Sequence, residues 1–254
     1  MRIVVGIPVR MGSSRFPGKP LCDILGTPMV EHCYKRCSFS SNVTELFVAA
    51  CDEEIKLKVE EFGGNVIMTE PSIQRPGLRV AEAAETLALD DDDIVVVVQG
   101  DEPLVRPEMV DLAVAPLLND KNILVSNLCS KASIEDLNDP GEIKVVCDLN
   151  MNAIYMSRSA IPSRIHEEKR TDWWRQVCIM PFRWGFMKTF NKILEPTPLE
   201  QQESIEMIRA IQHGYRVKMV PSPFVSKSVD TENDRLEAEE LMKIDPVFKR
   251  YGDL

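Results

Sequence analysis

No stretch of this 254-residue chain reaches the roughly 18 uninterrupted apolar residues of a membrane-spanning helix. The opening MRIVVGIPVR is too short an apolar run for a secretory leader, so the sequence predicts a cytoplasmic protein that does not engage a membrane. Runs of Lys or Arg are also missing. With 40 acidic against 30 basic residues and a formal charge of -10, the chain would repel a phosphate backbone, which excludes nucleic acid as a partner. Only three histidines occur (His32, His166, His213), and they share no metal-ligand spacing. The seven cysteines are odd in number and lack the paired spacing of a zinc site, so they read as buried reduced thiols. Neither G-x-G-x-x-G nor G-K-[ST] is present, which removes the dinucleotide fingerprint and the Walker loop. Internal repeats and low-complexity segments are lacking as well.

What is present is an alternation of apolar strands and amphipathic helices. Arg2 to Pro8 (RIVVGIP) predicts a buried strand feeding a Gly/Ser/Arg/Pro loop. A helix over 28–37, strand Glu45 to Ala50, helix 53–62, strand 65–69 and helix 79–89 follow. Behind the acidic linker Asp90 to Asp93, the run Ile94 to Val98 (IVVVV) is so apolar that both of its faces must be covered. Strand and helix repeated in this way predict a parallel sheet between two helical layers: an α/β three-layer sandwich with a mostly parallel mixed sheet. After Leu128 the rhythm changes. Strands 143–148 and 153–157 around the turn-forming Asn150–Asn152 predict an antiparallel hairpin in a mixed extension of the sheet. Helices 184–191 and 199–213, strand 216–220 and a helix over 231–242 complete the expectation of a single α/β domain, with a small projecting lobe near 130–180.

Two segments could carry chemistry. The first is Gly6 to Pro20 (GIPVRMGSSRFPGKP), directly after the first strand. In an open parallel sheet, ligands bind at the carboxyl ends of the strands, where small residues let backbone N–H groups approach phosphates. Arg10, Arg15 and Lys19 add three cations there. The second is Val98-Gln99-Gly100-Asp101-Glu102-Pro103, at the end of the most apolar strand. Asp101 points into the same crevice, where a magnesium ion bridging phosphates needs a hard oxygen ligand. A helix cap or turn is the alternative role for such an aspartate.

Together these segments resemble the CMP-Kdo synthetase (3-deoxy-manno-octulosonate cytidylyltransferase) family. Its IPxRxGSxRxPGKPL is matched here by IPVRMGSSRFPGKPL, and its QGDEP recurs at 99–103. The likeness continues through IKVVCDLNMNAIYMSRSAIP (143–162), TPLEQQESIEMIRAIQHG (197–214) and Ser228-Val-Asp-Thr231. The resemblance implies a nucleotide-diphospho-sugar transferase-like, Rossmann-like fold that transfers CMP from CTP to an acidic 3-deoxy-2-ulosonic sugar, Kdo or a close analogue. It implies Mg²⁺ on Asp101 and Asp230, and a homodimer. Pro8, Arg10, Gly12, Ser13, Arg15, Lys19, Gln74, Gly77, Arg79, Gln99 and Gly100 would hold the nucleotide. Lys19, Asp101, Arg10 and Arg15 would serve catalysis, and Arg158 would meet the acceptor's carboxylate.

The family's HQSGTER stands here as Ile73-Gln-Arg-Pro-Gly-Leu-Arg79, keeping Gly77 and Arg79. In HxGIYAYRxGF the His is Gln176, the first Tyr is Met180 and the second Phe182; in LEQLR the Gln is Met207. These positions, with Glu203, are expected to face the acceptor. Losing several polar groups there points away from Kdo itself and keeps open a nonulosonic acid, a phosphonate, or a non-catalytic nucleotide-binding homologue.

Overall fold

The computed structural model describes residues 1–12, 16–163, 165, 172–192, 194–224 and 226–252. The first half runs β1 (Ile3–Pro8), β2 (Asp23–Ile24), β3 (Thr27–Pro28), α1 (Met29–Ser38), β4 (Glu45–Ala50), α2 (Glu53–Glu61), β5 (Val66–Met68), α3 (Pro76–Ala84), β6 (Ile94–Val98) and α4 (Pro107–Asn119). There follow β7 (Ser126–Lys131), α5 (Ile134–Asn138), β8 (Lys144–Cys147), β9 (Ala153–Ser157), β10 (Trp174–Val177), β11 (Ile179–Arg183), α6 (Trp184–Lys192), α7 (Pro198–Glu203), α8 (Met207–Gln212), β12 (Lys218–Pro221) and α9 (Glu232–Lys243).

The central sheet has the order β11-β6-β1-β4-β5, with β6, β1, β4 and β5 parallel and β11 antiparallel at one edge. Its strands divide their side chains by the two-residue period of extended backbone. Val4, Val95 and Val97 pack with Val80 and Ala84 of α3 and with Phe186 and Phe190 of α6. Val5, Ile7, Ile94, Val96 and Val98 pack on the other face with Val30 and Cys33 of α1, Ile55 of α2, and Met109 and Val110 of α4. The sandwich of helices around a mostly parallel sheet follows from this division. All five residues of β6 are fully buried, as a strand covered on both faces requires.

The chain leaves β1 toward β4 and β5, then returns to place β6 on the other side of β1. That reversal opens a crevice at the carboxyl ends of β1 and β6, the position where α/β sheets of this kind bind ligands.

The expected extension of the sheet takes a different form. β7 to β10 and β12 make a second five-stranded sheet, β12-β7-β10-β8-β9, which contains the antiparallel β8–β9 hairpin. Among the described residues one isolated bridge, Val125 with Phe182, joins it to the central sheet. The chain passes between the sheets at Cys178, which separates β10, paired with β7, from β11, paired with β6. The expected helix over 199–213 is two helices, because Ser204 adopts φ 55° and closes α7 before α8 begins. All seven cysteines are free thiols. Among the described residues, no helix is long and apolar enough to cross a membrane.

Candidate active site

Three charged side chains meet at the switch point. Lys19, in the helical turn 19–21 that ends the loop after β1, donates from Nζ to Asp101 Oδ2 at 2.7 Å and to Asp230 Oδ1 at 2.9 Å. Asp101 is the third residue after β6. Asp230 immediately precedes Thr231, the N-cap of α9, whose hydroxyl accepts the Asp234 N–H within a capping box. A carboxylate beside that helix start is favoured by the exposed N–H dipoles of the first turn. The backbone ties the two acids together as well, since Val229 N–H donates to the Asp101 carbonyl at 2.9 Å. Burial pulls the Lys19 ammonium down, but the charges and hydrogen bonds of Asp101 and Asp230 outweigh it and hold the pKa above the ordinary lysine value.

Glu102 lies behind this cluster, 5% exposed, and accepts a hydrogen bond from Ser226 Oγ. Burial, with the Asp101 charge adding to it, pushes its carboxyl up to about 7. Arg175 donates to the Ser226 carbonyl at 2.9 Å and to Glu142 Oε2 at 2.9 Å. Ser226 is thus held from two sides, which fixes the approach of the segment that delivers Asp230.

Two compartments share the cluster. One, of about 410 Å³, is lined by Pro8, Arg10, Gly12, Lys19, Gln74, Arg79, Gln99 and Gly100 among others; the second, of about 480 Å³, by Arg158, Arg175, Gln176, Met180, Glu200 and Glu206 among others. Asp101 and Asp230 line both. Gly100 permits a close approach of strands at the floor, because a Cβ there would lie 2.2 Å from Val9 Cγ1 and 3.1 Å from the Pro8 carbonyl oxygen.

Most expected nucleotide residues therefore gather in one compartment. Arg10 donates to the Gln74 amide oxygen across its mouth. Arg79 lines it too, yet its guanidinium is 3% exposed and committed to Thr69 Oγ1 and the Ile73 carbonyl, both at 2.5 Å, so it secures the 69–73 segment. Gly77 does not line it; its N–H donates to Glu206 Oε2 at 3.2 Å. Ser13 and Arg15 lie outside the described residues.

On the acceptor side, Arg158, Gln176 and Met180 line the larger compartment. Phe182, Met207 and Glu203 do not, which corrects the expectation that they face it. Phe182 shares the face of Met180 on β11 but lies one repeat deeper in the sheet, opposite Val95 rather than Val97, where it packs against Phe186 and Phe190; Met207 is buried in the same core. Glu203 stands behind the wall, accepting from Ser157 Oγ at 2.8 Å and the Arg158 N–H at 2.9 Å; the Arg158 side chain is bonded to the Glu203, Pro140 and Gly141 carbonyls. Arg75, Glu142, Arg175, Cys178, Glu200 and Glu206 are cavity residues that sequence reasoning missed. For Glu206 a signal existed, since it adjoins Met207 in a segment already singled out.

A parallel sheet whose switch point is flanked by a basic loop and a pair of carboxylates defines an α/β nucleotide-binding transferase. Residues 4–219 match the cytidylyltransferase family. The 3-deoxy-manno-octulosonate cytidylyltransferase of Geobacter metallireducens is 38% identical over 247 residues, covering 92% of this chain and 95% of its own. The 8-amino-3,8-dideoxy-manno-octulosonate cytidylyltransferase of Shewanella woodyi is 37% identical over 250 residues, covering 96% and 100%. A solved CMP:2-keto-3-deoxy-manno-octonic acid synthetase in complex with CTP superposes with a TM-score of 0.89 at 32% identity, over 96% of this chain and 99% of that one. The chain belongs to the cytidylyltransferase family, in the group of the 3-deoxy-manno-octulosonate enzymes.

Proposed function

We propose that this enzyme transfers CMP from CTP to an acidic 3-deoxy-2-ulosonic sugar, Kdo or its 8-amino analogue, and releases pyrophosphate. The observation that carries the reading is that two compartments, one bordered by cations and one by Arg158, meet at Asp101 and Asp230. CTP occupies the first, its triphosphate against Arg10, Gly12, Lys19 and the Ser13–Arg15 segment, and its nucleoside near Gln74, Gln99 and Gly100. The acceptor occupies the second, with its carboxylate at Arg158. Its hydroxyl attacks the α-phosphate in line. Both reactants are anionic, so the cations at the junction offset a repulsion that would otherwise keep them apart. Lys19, Arg10 and Arg15 stabilise the charge that builds on the leaving pyrophosphate.

Asp101 and Asp230 supply hard oxygen ligands, the donor type that suits Mg²⁺, and the Lys19 ammonium that bridges them marks where a cation is held. When bound there, Mg²⁺ neutralises phosphate charge and polarises the reacting phosphoryl group. We further propose a homodimer in the cytoplasm; exposed Leu149 and Ile154 on the β8–β9 hairpin support an interface between copies.

Pyrophosphate release is measured with CTP, UTP, ATP or GTP against Kdo, amino-Kdo, nonulosonic acids and phosphonates. CTP with a 3-deoxy-2-ulosonic acid should be the productive pair. Asp101→Asn and Asp230→Asn should each abolish release while the circular dichroism spectrum is unchanged, and full activity in either would sink the two-carboxylate site.

A further inference from the structure

One end of the larger compartment accepts hydrogen bonds but has little to donate. Asn127 Nδ2 donates to the Leu128 carbonyl at 2.9 Å and the Val177 carbonyl at 2.8 Å, which leaves Asn127 Oδ1 facing Gln176. Gln176 must therefore turn its own Nε2 inward, to Asn127 Oδ1 at 2.5 Å and to Met180 Sδ at 3.8 Å. Its carbonyl oxygen remains for the cavity. Met180, on the same wall, offers a thioether that can only accept. Glu206, whose carboxyl pKa is pushed up by burial so that a cation beside it is needed to favour the charged form, takes the Gly77 N–H on Oε2 at 3.2 Å, while its buried Oε1 has no hydrogen-bond partner.

Of the donors on this compartment's wall, Arg158 is taken in this reading by the acceptor's carboxylate, Gln99 and Ser228 belong to the junction at Asp101 and Asp230, and the rest are spent or peripheral. Arg75 is engaged with Glu200, and Arg175 with Glu142 and the Ser226 carbonyl. Gln201 and Ser204 are exposed, at the rim. The Cys178 thiol, a weak donor, is held protonated by burial. A ligand hydroxyl placed here would give its hydrogen but find no good donor for its lone pairs. An ammonium has three hydrogens to give and no lone pair to satisfy.

Resting on the reading of the chain as a CMP transferase for a 3-deoxy-2-ulosonic acid, we infer that its acceptor carries a primary ammonium recognised by Gln176, Met180 and Glu206. The enzyme is then selective for the amino sugar over its hydroxyl counterpart. Overall likeness does not choose between the two, because relatives named for each are 38% and 37% identical to this chain. The chemistry of the wall does. The family's His and first Tyr could each donate at this wall; with Gln176 turned inward and Met180 in place, those donors are lost.

The test compares kcat/KM for pyrophosphate release from CTP with 3-deoxy-manno-octulosonate and with its 8-amino-8-deoxy analogue. The amino sugar should be favoured at least about tenfold, the scale on which unmatched buried polar groups discriminate. Glu206→Gln should cut the preference for the amino sugar over the hydroxyl sugar at least about threefold, read as the ratio of the two kcat/KM values, with CTP binding by calorimetry as the folding control. Equal or better use of the hydroxyl sugar by the wild type overturns the inference and leaves the CMP-transfer reading standing. A preference that Glu206→Gln does not alter also overturns it. Turnover of neither sugar, with CTP still bound, overturns both.

Discussion

At the scale of single residues, Lys19 is the strictest requirement. It faces two carboxylates that would repel each other without it, and the proposed triphosphate site adjoins the same ammonium. Replacing Lys19 with Met should lower kcat/KM for CTP about 10²- to 10³-fold, the usual cost of one lost electrostatic stabiliser, as read by pyrophosphate release. Lys19→Arg should not restore it, because the longer, planar guanidinium does not fit a cluster closed around a compact ammonium at 2.7 and 2.9 Å. Sequence reasoning reached Lys19 and Asp101 because chemistry and motif converged on each, and Asp230 through the motif alone. It could not see that Phe182 and Met207 turn into the core. Their positions in a motif fix the order of residues, whereas how far each lies from the cavity is set by its depth along the strand and by the break at Ser204. Arg79 lines the nucleotide compartment as expected, but that its guanidinium also holds the 69–73 segment was visible only from its hydrogen bonds.

At the scale of elements, the floor of the crevice depends on how closely the ends of β1 and β6 approach. Gly100→Ala would drive a methyl group into Val9 and toward the Pro8 carbonyl. Val9 is buried and the Pro8 carbonyl is fixed by the strand, so the change should cost about 1–3 kcal/mol, read as a lower midpoint in urea unfolding, and should weaken CTP binding in parallel. Glu102→Ala should act at a distance. It releases Ser226 and loosens the segment leading to Asp230, so CTP affinity should fall several-fold while the melting temperature moves little; Glu102→Gln, which still offers Ser226 an acceptor oxygen, should recover most of it. The strands β1, β4, β6 and β9 were legible because apolar runs bounded by turn residues leave little choice. The helix break at Ser204 was not, since 197–213 has unbroken helical spacing and a left-handed serine carries no compositional mark. Nor was the departure of β7 into a second sheet, which depends on where β10 finds a partner.

At the scale of the whole molecule, His32 joins the opening of the chain to its far end. Its ring nitrogens lie 2.8 Å from the Ile24 carbonyl oxygen and 2.7 Å from the Tyr251 hydroxyl, and Arg36 donates to the same hydroxyl at 2.8 Å. Burial first, and the Arg36 and Lys35 charges with it, lowers the His32 pKa from 6.5 to about 4. Between those values the unfolded chain binds the proton more readily than the folded one. His32 therefore contributes stability that is fully present above pH 6.5 and lost as pH falls toward 4, about 3 kcal/mol in all by linkage. Urea midpoints measured from pH 7.5 to 4.5 should show this slope, and His32→Gln should flatten it.

The cluster of Lys19, Asp101 and Asp230 draws on three widely separated stretches of the chain, and this sets an order of events during synthesis. By the time Arg183 has been joined, every strand of the central sheet exists and the crevice can begin to form around Lys19 and Asp101. Asp230 and the helix it introduces have not yet been added to the chain. A nascent chain at that stage has the cradle for a triphosphate but only one of its two acids, so it could hold a nucleotide before it could spend one.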